Sequence, residues 1–289
     1  MREGSSYRRY QWAALVGAPL VTLVLVLSPA PTGMTLLGWR TLAVGLLMAV
    51  WWITEAIPLA ATSLLPIALF PALGILSAKD TAVAYSDPNI FLFMGGFFIA
   101  MSIQKWHLHE RIALNVIHHL GGNLRRLVFG FMLATALLSM WVSNTATTVM
   151  MLPIGLAVGG HVRDTLGGSA GDDFASCLLL STAYAASIGG IATLIGTPPN
   201  IVFASQFAQY FPEAPPIGFL DWACVGLPFS AMLLPIAWWL LTSMLYRIPP
   251  AESPEVTADV ARRLQELGPM SKGEKIVLAA TAFTALAWI

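Results

Sequence analysis

The sequence has 289 residues, of which 57% are hydrophobic and 10% are charged, and its mean hydropathy is +0.73. Because soluble domains carry about 25% charged residues, this composition predicts a membrane protein and excludes an ordinary soluble domain. The net charge of zero argues against nucleic acid as a partner.

Residues 1–104 contain four apolar runs, which we interpret as membrane spans. The first run could pass for a signal peptide, since Arg8 and Arg9 precede it, but further spans follow at once and favour an uncleaved helix. Pro66 and Pro71 are expected to bend the third span, and a polar loop, residues 77–88, follows it. The four predicted spans are residues 12–27, 39–53, 59–76 and 89–104.

Residues 105–120 predict an amphipathic helix that lies in the membrane interface. Its polar residues, among them Glu110, Arg111 and Asn115, stay off an apolar stripe that runs from Trp106 to Leu120. The histidines of this segment follow one another at spacings of one or two residues, which places neighbours on different faces of a helix. We therefore predict a solvated face here and no metal site.

Residues 127–160 form an uncharged stretch with a polar run at 139–148, Ser-Met-Trp-Val-Ser-Asn-Thr-Ala-Thr-Thr. Hydrocarbon offers no water to these hydroxyl and amide groups, so they need partners within the protein. The arm after this run, residues 148–160, has about 13 residues and a helical length of about 20 Å, against a hydrocarbon core of about 30 Å. We therefore predict a re-entrant helical hairpin whose tip lies near the middle of the membrane.

Residues 174–212 form a second stretch without acidic or basic residues, and it is interrupted near its middle. The interruption contains Gly189, Gly190 and Gly196, followed by Pro198 and Pro199, which together cannot continue a regular helix. The pattern predicts a broken span: a helix, an unwound segment, and a second half-helix with both prolines in its first turn.

The remaining residues predict a sixth span and a cytoplasmic linker. The span is residues 217–246, and the linker helix is residues 253–267, with Val256 and Val260 on its apolar face. Ser271 and Glu274 have the spacing of a capping box, which predicts the start of a further helix that enters an apolar run.

The basic residues predict the orientation in the membrane. With a cytoplasmic N-terminus, all but Arg40 and Lys79 of the 15 Lys and Arg residues fall inside, as the positive-inside rule expects. This sidedness is the same whether the hairpin re-enters or crosses twice. We predict an integral protein of the cytoplasmic (inner) membrane.

The two helix interruptions predict a site for a cation and an anion. Non-helical backbone at membrane depth is tolerated only where it is buried in protein or lines a cavity. The N-termini of half-helices suit a carboxylate, whereas unwound carbonyls and Ser, Thr and Asn oxygens suit Na+. Because neither segment contains Arg or Lys, an anion would be held by helix dipoles, Asn144 and a co-bound cation, and its affinity would depend on that cation.

Four motifs resemble the divalent anion/sodium symporter family, in order along essentially the whole chain. They are Trp-Trp-Ile-Thr-Glu-Ala-Ile-Pro at residues 51–58, Asn-Ile-Phe-Leu-Phe-Met-Gly-Gly at 89–96, Ser-Asn-Thr at 143–145 and Gly-Thr-Pro-Pro-Asn at 196–200. The resemblance implies an all-α polytopic membrane protein that contains an inverted-topology repeat, with a re-entrant hairpin and a broken transmembrane helix. It also implies a homodimer, an elevator-type movement, and Na+-driven uptake of dicarboxylates such as succinate, malate or fumarate, or of citrate or sulfate.

The resemblance further implies roles for individual residues. The sodium site would use the side chains of Ser139, Ser143 and Asn144 and the carbonyl of Gly196. The substrate carboxylate would meet Asn144, Thr145, Thr197 and Pro198.

The chain carries one Ser-Asn-Thr motif where the family has two, so it resembles the N-terminal half. The resemblance implies that residues 1–121 form a scaffold and dimer contact, with four spans and the interfacial helix. Residues 122–250 would form part of the transport domain, and residues 251–289 the linker and the start of a seventh span. We expect a fragment or truncated form of a transporter.

Other interpretations stay open at this point. The protein could be a dicarboxylate exchanger of the same fold, or a half-repeat that does not transport. The hydroxyl groups could also bond back to their own helices, with the glycines serving helix packing. The sequence offers no nucleophile–base pair, phosphate loop or metal-ligand set, so we predict no enzyme activity, no organic cofactor and no metal other than Na+.

Overall fold

The computed structural model describes residues 7–120, 123–252 and 254–288, without the side chains of residues 255–257. The predictions for Ser253 and Val256 in the linker helix lie outside this description. The described ranges are α-helical and contain one isolated β-bridge, between Asn123 and Glu252. By internal packing the chain divides into two compact units, Met1–Asp87 and Pro88–Ile289. The predicted division into a scaffold, a transport domain and a linker, with boundaries after residues 121 and 250, stays a prediction.

The first unit begins with two paired helices, α1 (Arg9–Leu27) and α2 (Leu36–Thr54). The indole N–H groups of Trp39 and Trp51, near the two ends of α2, donate to backbone carbonyls of α1 at 2.8 and 3.0 Å. A tryptophan can bury its ring while its N–H keeps a partner, which suits it to such helix ends. These two helices confirm the first two predicted spans.

The predicted third span, residues 59–76, is divided in the structure. It consists of α3 (Leu59–Ser63) and α4 (Leu65–Ala72), which meet at Leu64. Pro66 lies in the first turn of α4, where an N–H group would have no helical partner. As a continuation of α3, the same proline would remove a helical hydrogen bond. The predicted bend near Pro66 is therefore present as an interruption at Leu64, but the apolar helical stretch, Leu59–Ala72, is shorter than the predicted span.

The predicted polar loop, residues 77–88, contains a short helix, α5 (Ala78–Ala84). The Ser77 side chain accepts a hydrogen bond from the backbone N–H of Asp80 at 3.1 Å. Such a bond is a standard N-cap and stabilises the start of a helix. The prediction of a loop was therefore wrong for the residues of α5.

The second unit contains nine α-helices within the described residues. Its core lies between α8, α9, α10 and α12, where Phe131, Met132, Met151, Phe174 and Leu178 are fully buried. The nine helices are α6 (Pro88–Lys105), α7 (Leu108–Leu120), α8 (Leu124–Ser139), α9 (Asn144–Leu166), α10 (Gly168–Ile191), α11 (Pro198–Tyr210), α12 (Phe219–Trp239), α13 (Pro254–Glu266) and α14 (Lys272–Ala287). A π-helical segment, Leu240–Leu245, extends α12.

Helices α8 and α9 form the predicted helical hairpin, but one arm is longer than expected. Helix α9 has 23 residues and continues through Arg163 to Leu166. Its length is about 35 Å at the helical rise, enough to cross a hydrocarbon core of about 30 Å. The length argument for re-entrance was therefore wrong for this arm, because the helix does not end where the apolar residues end. The re-entrant path itself stays a prediction.

The predicted pattern of a helix, a non-helical segment and a second helix is confirmed, whereas one broken span made of both helices stays a prediction because α10 alone is long enough to cross a membrane. Helix α10 has 24 residues and ends at Ile191, and α11 begins at Pro198. Thr197 is the N-cap residue of α11, and the two prolines occupy its first turn. Proline is favoured there because its fixed φ suits the helix and its missing N–H would have no helical partner.

Helix α7 corresponds to the predicted amphipathic helix, and its apolar face packs against α8. Ala113, Leu114 and Ile117 are buried there. The prediction of a solvated polar face was wrong for Arg111, because its Nε donates to Glu274 Oε1 at 2.6 Å in an ion pair with α14. The two side chains of this pair are 13% and 8% exposed.

The histidines at the start of α7 also depart from the prediction. His109 is buried, and His107 precedes the helix in a left-handed conformation with a φ of 55°. The argument from helical faces does not hold for this pair because His107 is not part of the helix.

Five described helices are long and apolar enough to cross a membrane, or up to six if one bent helix pair is counted as a span. The five are α1, α2, α9, α10 and α12 with its π-helical extension. The chain is therefore an all-α polytopic integral membrane protein.

Candidate functional site

The turn between α8 and α9 places the predicted hairpin residues at two helix termini. Ser139 is the last residue of α8, and Asn144 is the first of α9. Ser143 is the N-cap of α9, and its side chain accepts from the backbone N–H of Ala146 at 3.4 Å. Serine is preferred at this position because its hydroxyl can satisfy an N–H group that has no helical partner.

Ser139 and Asn144 contact each other directly. Ser139 is fully buried, and its Oγ lies 2.9 Å from Asn144 Oδ1 and 2.7 Å from the carbonyl oxygen of Ala186 in α10. The serine hydroxyl has one proton and can donate to one of these oxygens at a time. Three oxygen atoms therefore converge around a single proton, an arrangement that suits a small hard cation.

The break between α10 and α11 exposes carbonyl groups that no helix satisfies, and side chains from neighbouring helices bond to them. Asn200 Nδ2 donates to the carbonyls of Gly190 and Thr193, at 2.9 and 2.8 Å. Trp222 Nε1 of α12 donates to the carbonyl of Ile191 at 2.8 Å. Because buried polar groups without partners are costly, these bonds stabilise the unwound segment.

The two interruptions lie against each other because glycine leaves the necessary space. A Cβ atom at Gly190 would lie 2.2 Å from Asn144 Oδ1, and one at Gly196 would lie 2.5 Å from the Gly190 carbonyl oxygen. Thr193 Oγ1 also donates to the carbonyl of Met140, at 2.5 Å, which joins the unwound segment to the α8–α9 turn. The structure thus brings the hairpin and the broken span into one site.

Of the predicted sodium ligands, Ser139, Asn144 and Gly196 lie within this cluster. Ser139 and Gly196 are buried and Asn144 is half-buried, whereas Ser143 lies at its edge as a helix cap. No bond in the described part of the chain joins Ser143 to Ser139, so the structure connects these two only through Asn144 and the turn.

The predicted substrate residues lie at the N-terminal ends of α9 and α11. Thr145 and Pro198 are exposed and Thr197 is half-buried. Among the described residues, no hydrogen bond joins Thr145 to Thr197. Each helix start offers backbone N–H groups and the positive end of a helix dipole, which favour an anion.

Sequence reasoning missed three residues that hold the broken segment in place. They are Asn200, Trp222 and Ser230, whose Oγ donates to the carbonyl of Ile188 at 2.7 Å. Asn200 had a signal, since an amide directly after two prolines in an apolar run needs a partner. Trp222 and Ser230 had none, because only packing places α12 beside the break.

The site carries no charged side chain of its own. Residues 127–160 and 174–212 contain no Lys, Arg, Asp or Glu. Its electrostatics therefore arise from helix termini, carbonyls, hydroxyls and one carboxamide. The fold and this site define a polytopic membrane protein with a polar, uncharged site between a helical hairpin and a broken helix.

Comparisons with known proteins agree with this class. The family model described as "Sodium:sulfate symporter transmembrane region" matches residues 9–289. The chain belongs to this family, which corresponds to the predicted divalent anion/sodium symporters.

Curated relatives match the chain over nearly its full length. It is 38% identical over 292 residues to the "Sodium-dependent dicarboxylate transporter SdcS" of Staphylococcus saprophyticus, covering 100% of this chain and 56% of the relative. It is 40% identical over 283 residues to the protein of the same name from Staphylococcus aureus, covering 96% of this chain and 54% of the relative. The chain thus spans about half the length of the curated relatives it matches.

Proposed function

We propose that the chain forms part of a secondary active transporter that couples Na+ to the movement of a small divalent anion. The observation that carries the proposal is the convergence of the hairpin and the broken span on Ser139, Asn144 and Gly190. The names of the relatives support a sodium-dependent dicarboxylate transporter, and we propose a four-carbon dicarboxylate such as succinate, malate or fumarate.

The proposed sodium ligands are the side chains of Ser139, Ser143 and Asn144 and the carbonyl of Gly196. The 2.9 Å contact between Ser139 and Asn144 supports this assignment, because both oxygens are available to a cation when the serine proton points to the Ala186 carbonyl. Na+ would then replace a hydrogen bond that these groups otherwise make with each other.

The proposed substrate ligands are Asn144, Thr145, Thr197 and Pro198. Asn144 belongs to both sets because its carboxamide has an oxygen that can bind a cation and an N–H2 group that can donate to a carboxylate. Cation binding at Oδ1 would orient the N–H2 group, so each ligand would raise the affinity for the other.

We also propose the architecture that the family resemblance implies. The protein would be a homodimer in the cytoplasmic membrane with its N-terminus inside, and an elevator-type movement would carry the transport domain. The scarcity of charged residues in residues 122–160 supports a moving domain with few fixed ionic contacts to lipid.

Uptake of labelled succinate by cells that express the transporter of which this chain forms part tests the proposal. We expect uptake in sodium medium and at least about tenfold less in choline medium, since a coupling of about 1.4 kcal/mol already corresponds to a factor of ten. Equal uptake in both media contradicts symport, and counterflow without an ion gradient would instead identify an exchanger.

Asn144→Ala tests the site within the same assay. We expect this change to abolish uptake at unchanged membrane expression, because it removes both the cation ligand and the anion donor. Asn115→Ala is the matched control, since within the described residues the Asn115 side chain bonds to its own helix, at the Arg111 carbonyl 2.8 Å away. Normal uptake by Asn144→Ala removes the hairpin from the mechanism.

A further inference from the structure

Three potential metal ligands meet at the start of α7, away from the proposed transport site. The ligand atoms of His107, His109 and Glu110 all lie within 4.8 Å of one another. His107 Nδ1 is 3.0 Å from Glu110 Oε1, and His109 Nε2 is 3.8 Å from the same oxygen.

The backbone brings these residues together through an unusual turn. Helix α6 ends at Lys105, and His107 adopts a φ of 55° before α7 begins at Leu108. A left-handed conformation at a residue with a Cβ atom is uncommon, and such residues occur preferentially at functional sites. The turn places the His107 ring beside the first turn of α7, where it meets Glu110.

His109 is held in an orientation suited to a ligand. Its side chain is 7% exposed, and its Nδ1 lies 3.4 Å from the carbonyl oxygen of Ile103. Because a carbonyl only accepts, Nδ1 carries the proton, and Nε2 has a free lone pair that faces Glu110. A ring nitrogen that donates to a carbonyl while the other faces a ligand site is the usual arrangement at metal centres.

The spacing of the ligand atoms agrees with a small divalent ion. Bonds of about 2.0–2.2 Å place the ligands of a tetrahedral ion roughly 3.3–3.6 Å apart. The separations from Glu110 Oε1, 3.0 Å to His107 Nδ1 and 3.8 Å to His109 Nε2, lie on either side of this range, so a small movement of the Glu110 carboxylate together with the exposed His107 ring completes the geometry.

We propose that His107, His109 and Glu110 bind a divalent transition metal ion such as Zn2+, with water in the remaining position. Two imidazole nitrogens and one carboxylate favour Zn2+ and its neighbours over Na+, Mg2+ or Ca2+, which prefer sites made of oxygen atoms alone. The proposal does not depend on transport.

A bound ion would fix the α6–α7 turn against α14. Arg111 follows Glu110 directly and pairs with Glu274 of α14, and a Cβ atom at Gly273 would lie 2.1 Å from the Trp106 ring. The metal would thus join a turn that already packs tightly against the start of α14. Because the ion binds the folded protein, it should raise the melting temperature.

Metal titration of the purified, metal-free protein tests the proposal, with no histidine tag present. We expect one Zn2+ per chain by calorimetry, Co2+ absorption typical of nitrogen ligation, and a higher melting temperature with Zn2+. His109→Ala and Glu110→Gln should each weaken Zn2+ binding by about 100-fold, the upper end of losses seen for supporting groups.

Two further variants keep the result interpretable. His107→Ala changes a side chain that is 68% exposed, so it should fold normally and still lose affinity. The double variant His118→Ala, His119→Ala removes two histidines elsewhere on α7 and should bind Zn2+ as the unchanged protein does. The proposal is overturned if no Zn2+ binds, or if His107→Ala and Glu110→Gln bind it as tightly as the unchanged protein.

Discussion

At the residue scale, the site depends on glycines, whose lack of a side chain lets other groups approach, as much as on its polar side chains. Gly190 leaves the space in which the Asn144 carboxamide lies, and Gly189 allows α10 to approach α8. A Cβ atom at Gly189 would lie 2.3 Å from the Ala136 carbonyl oxygen. These positions therefore require glycine for close packing, although neither has a left-handed φ.

Gly190→Ala tests the importance of this space. The new methyl group would lie 2.2 Å from Asn144 Oδ1, so we expect Asn144 to be displaced, sodium-dependent uptake to fall by at least about tenfold, and stability to fall by about 1–3 kcal/mol. Uptake assays and thermal unfolding of the purified protein measure the two effects.

Gly160→Ala is the control, because the added Cβ in α9 would have no atom within 4 Å among the described residues beyond its own stretch of helix. We expect it to be neutral or to stabilise the helix by up to about 1 kcal/mol. Similar behaviour of the two variants would show that the contact between Gly190 and Asn144 does not matter.

At the element scale, a buried ion pair joins α7 to the start of α14. Arg111 bonds to Glu274 and to the carbonyls of Gly268 and Leu267, at 2.9 and 3.1 Å, and so bridges the loop between α13 and α14. Glu274 also accepts from the backbone N–H of Ser271, at 2.7 Å, which completes a capping box. The capping box was predicted from the sequence and is confirmed.

The pH dependence of stability tests this ion pair. Glu274 lies before the apolar run that starts at Ile276. The hydrogen bond from Arg111 has the largest effect on its pKa and that from the Ser271 N–H the next largest, and together they lower this pKa from 4.5 to about 2. A depressed folded-state pKa stabilises the fold above pH 4.5, and this contribution is lost as the pH falls towards 2. Glu274→Gln should lower stability by about 1–3 kcal/mol at neutral pH, and the difference from the unchanged protein should shrink below pH 4.5.

Glu266→Gln serves as the control for this measurement. The Glu266 side chain is 66% exposed, and its nearest pair with Arg262 is 3.9 Å long, so its contribution should be small at every pH. If Glu274→Gln and Glu266→Gln give parallel curves of melting temperature against pH, the ion pair does not stabilise the fold.

At the scale of the whole molecule, the hairpin has two possible paths through the membrane, one that re-enters and one that crosses twice. Helix α9 is long enough to cross the membrane, which would place the polar α8–α9 turn at the outer surface. In a re-entrant arrangement this turn would instead lie within the membrane. Thr145 is exposed on the protein surface, so protein packing does not shield it from a reagent. Its accessibility therefore depends on the surrounding membrane.

Cysteine labelling distinguishes the two paths. In a background with exposed Cys224 replaced by Ser, Thr145→Cys should react slowly with a membrane-impermeant thiol reagent added outside the cell. Glu213→Cys, at an exposed position after α11 that would lie outside if the N-terminus is cytoplasmic, should react quickly. Equal rates at the two positions would show that the hairpin crosses the membrane twice.

The sequence by itself determined the class of the protein, the positions of most helices and the two interruptions. Composition excludes a soluble fold, and Pro198 and Pro199 predict the start of α11 because proline is favoured in the first turn of a helix. Local signals of this kind act within one or two turns, so they can be read along the chain. The interruption of the third span and the N-cap at Ser77 also arise from local signals. In the sequence these signals are weak compared with the pattern of apolar residues.

Only the tertiary structure decided which of these pieces meet. Asn200, Trp222 and Ser230 satisfy carbonyls of the broken segment across separations that no periodicity encodes, and Arg111 finds Glu274 at the far end of the chain. The cluster at His107 likewise depends on one left-handed residue that ends a helical pattern. The reason is physical: hydrogen bonds and ion pairs form between groups that packing brings within about 3 Å, and packing is a property of the whole chain.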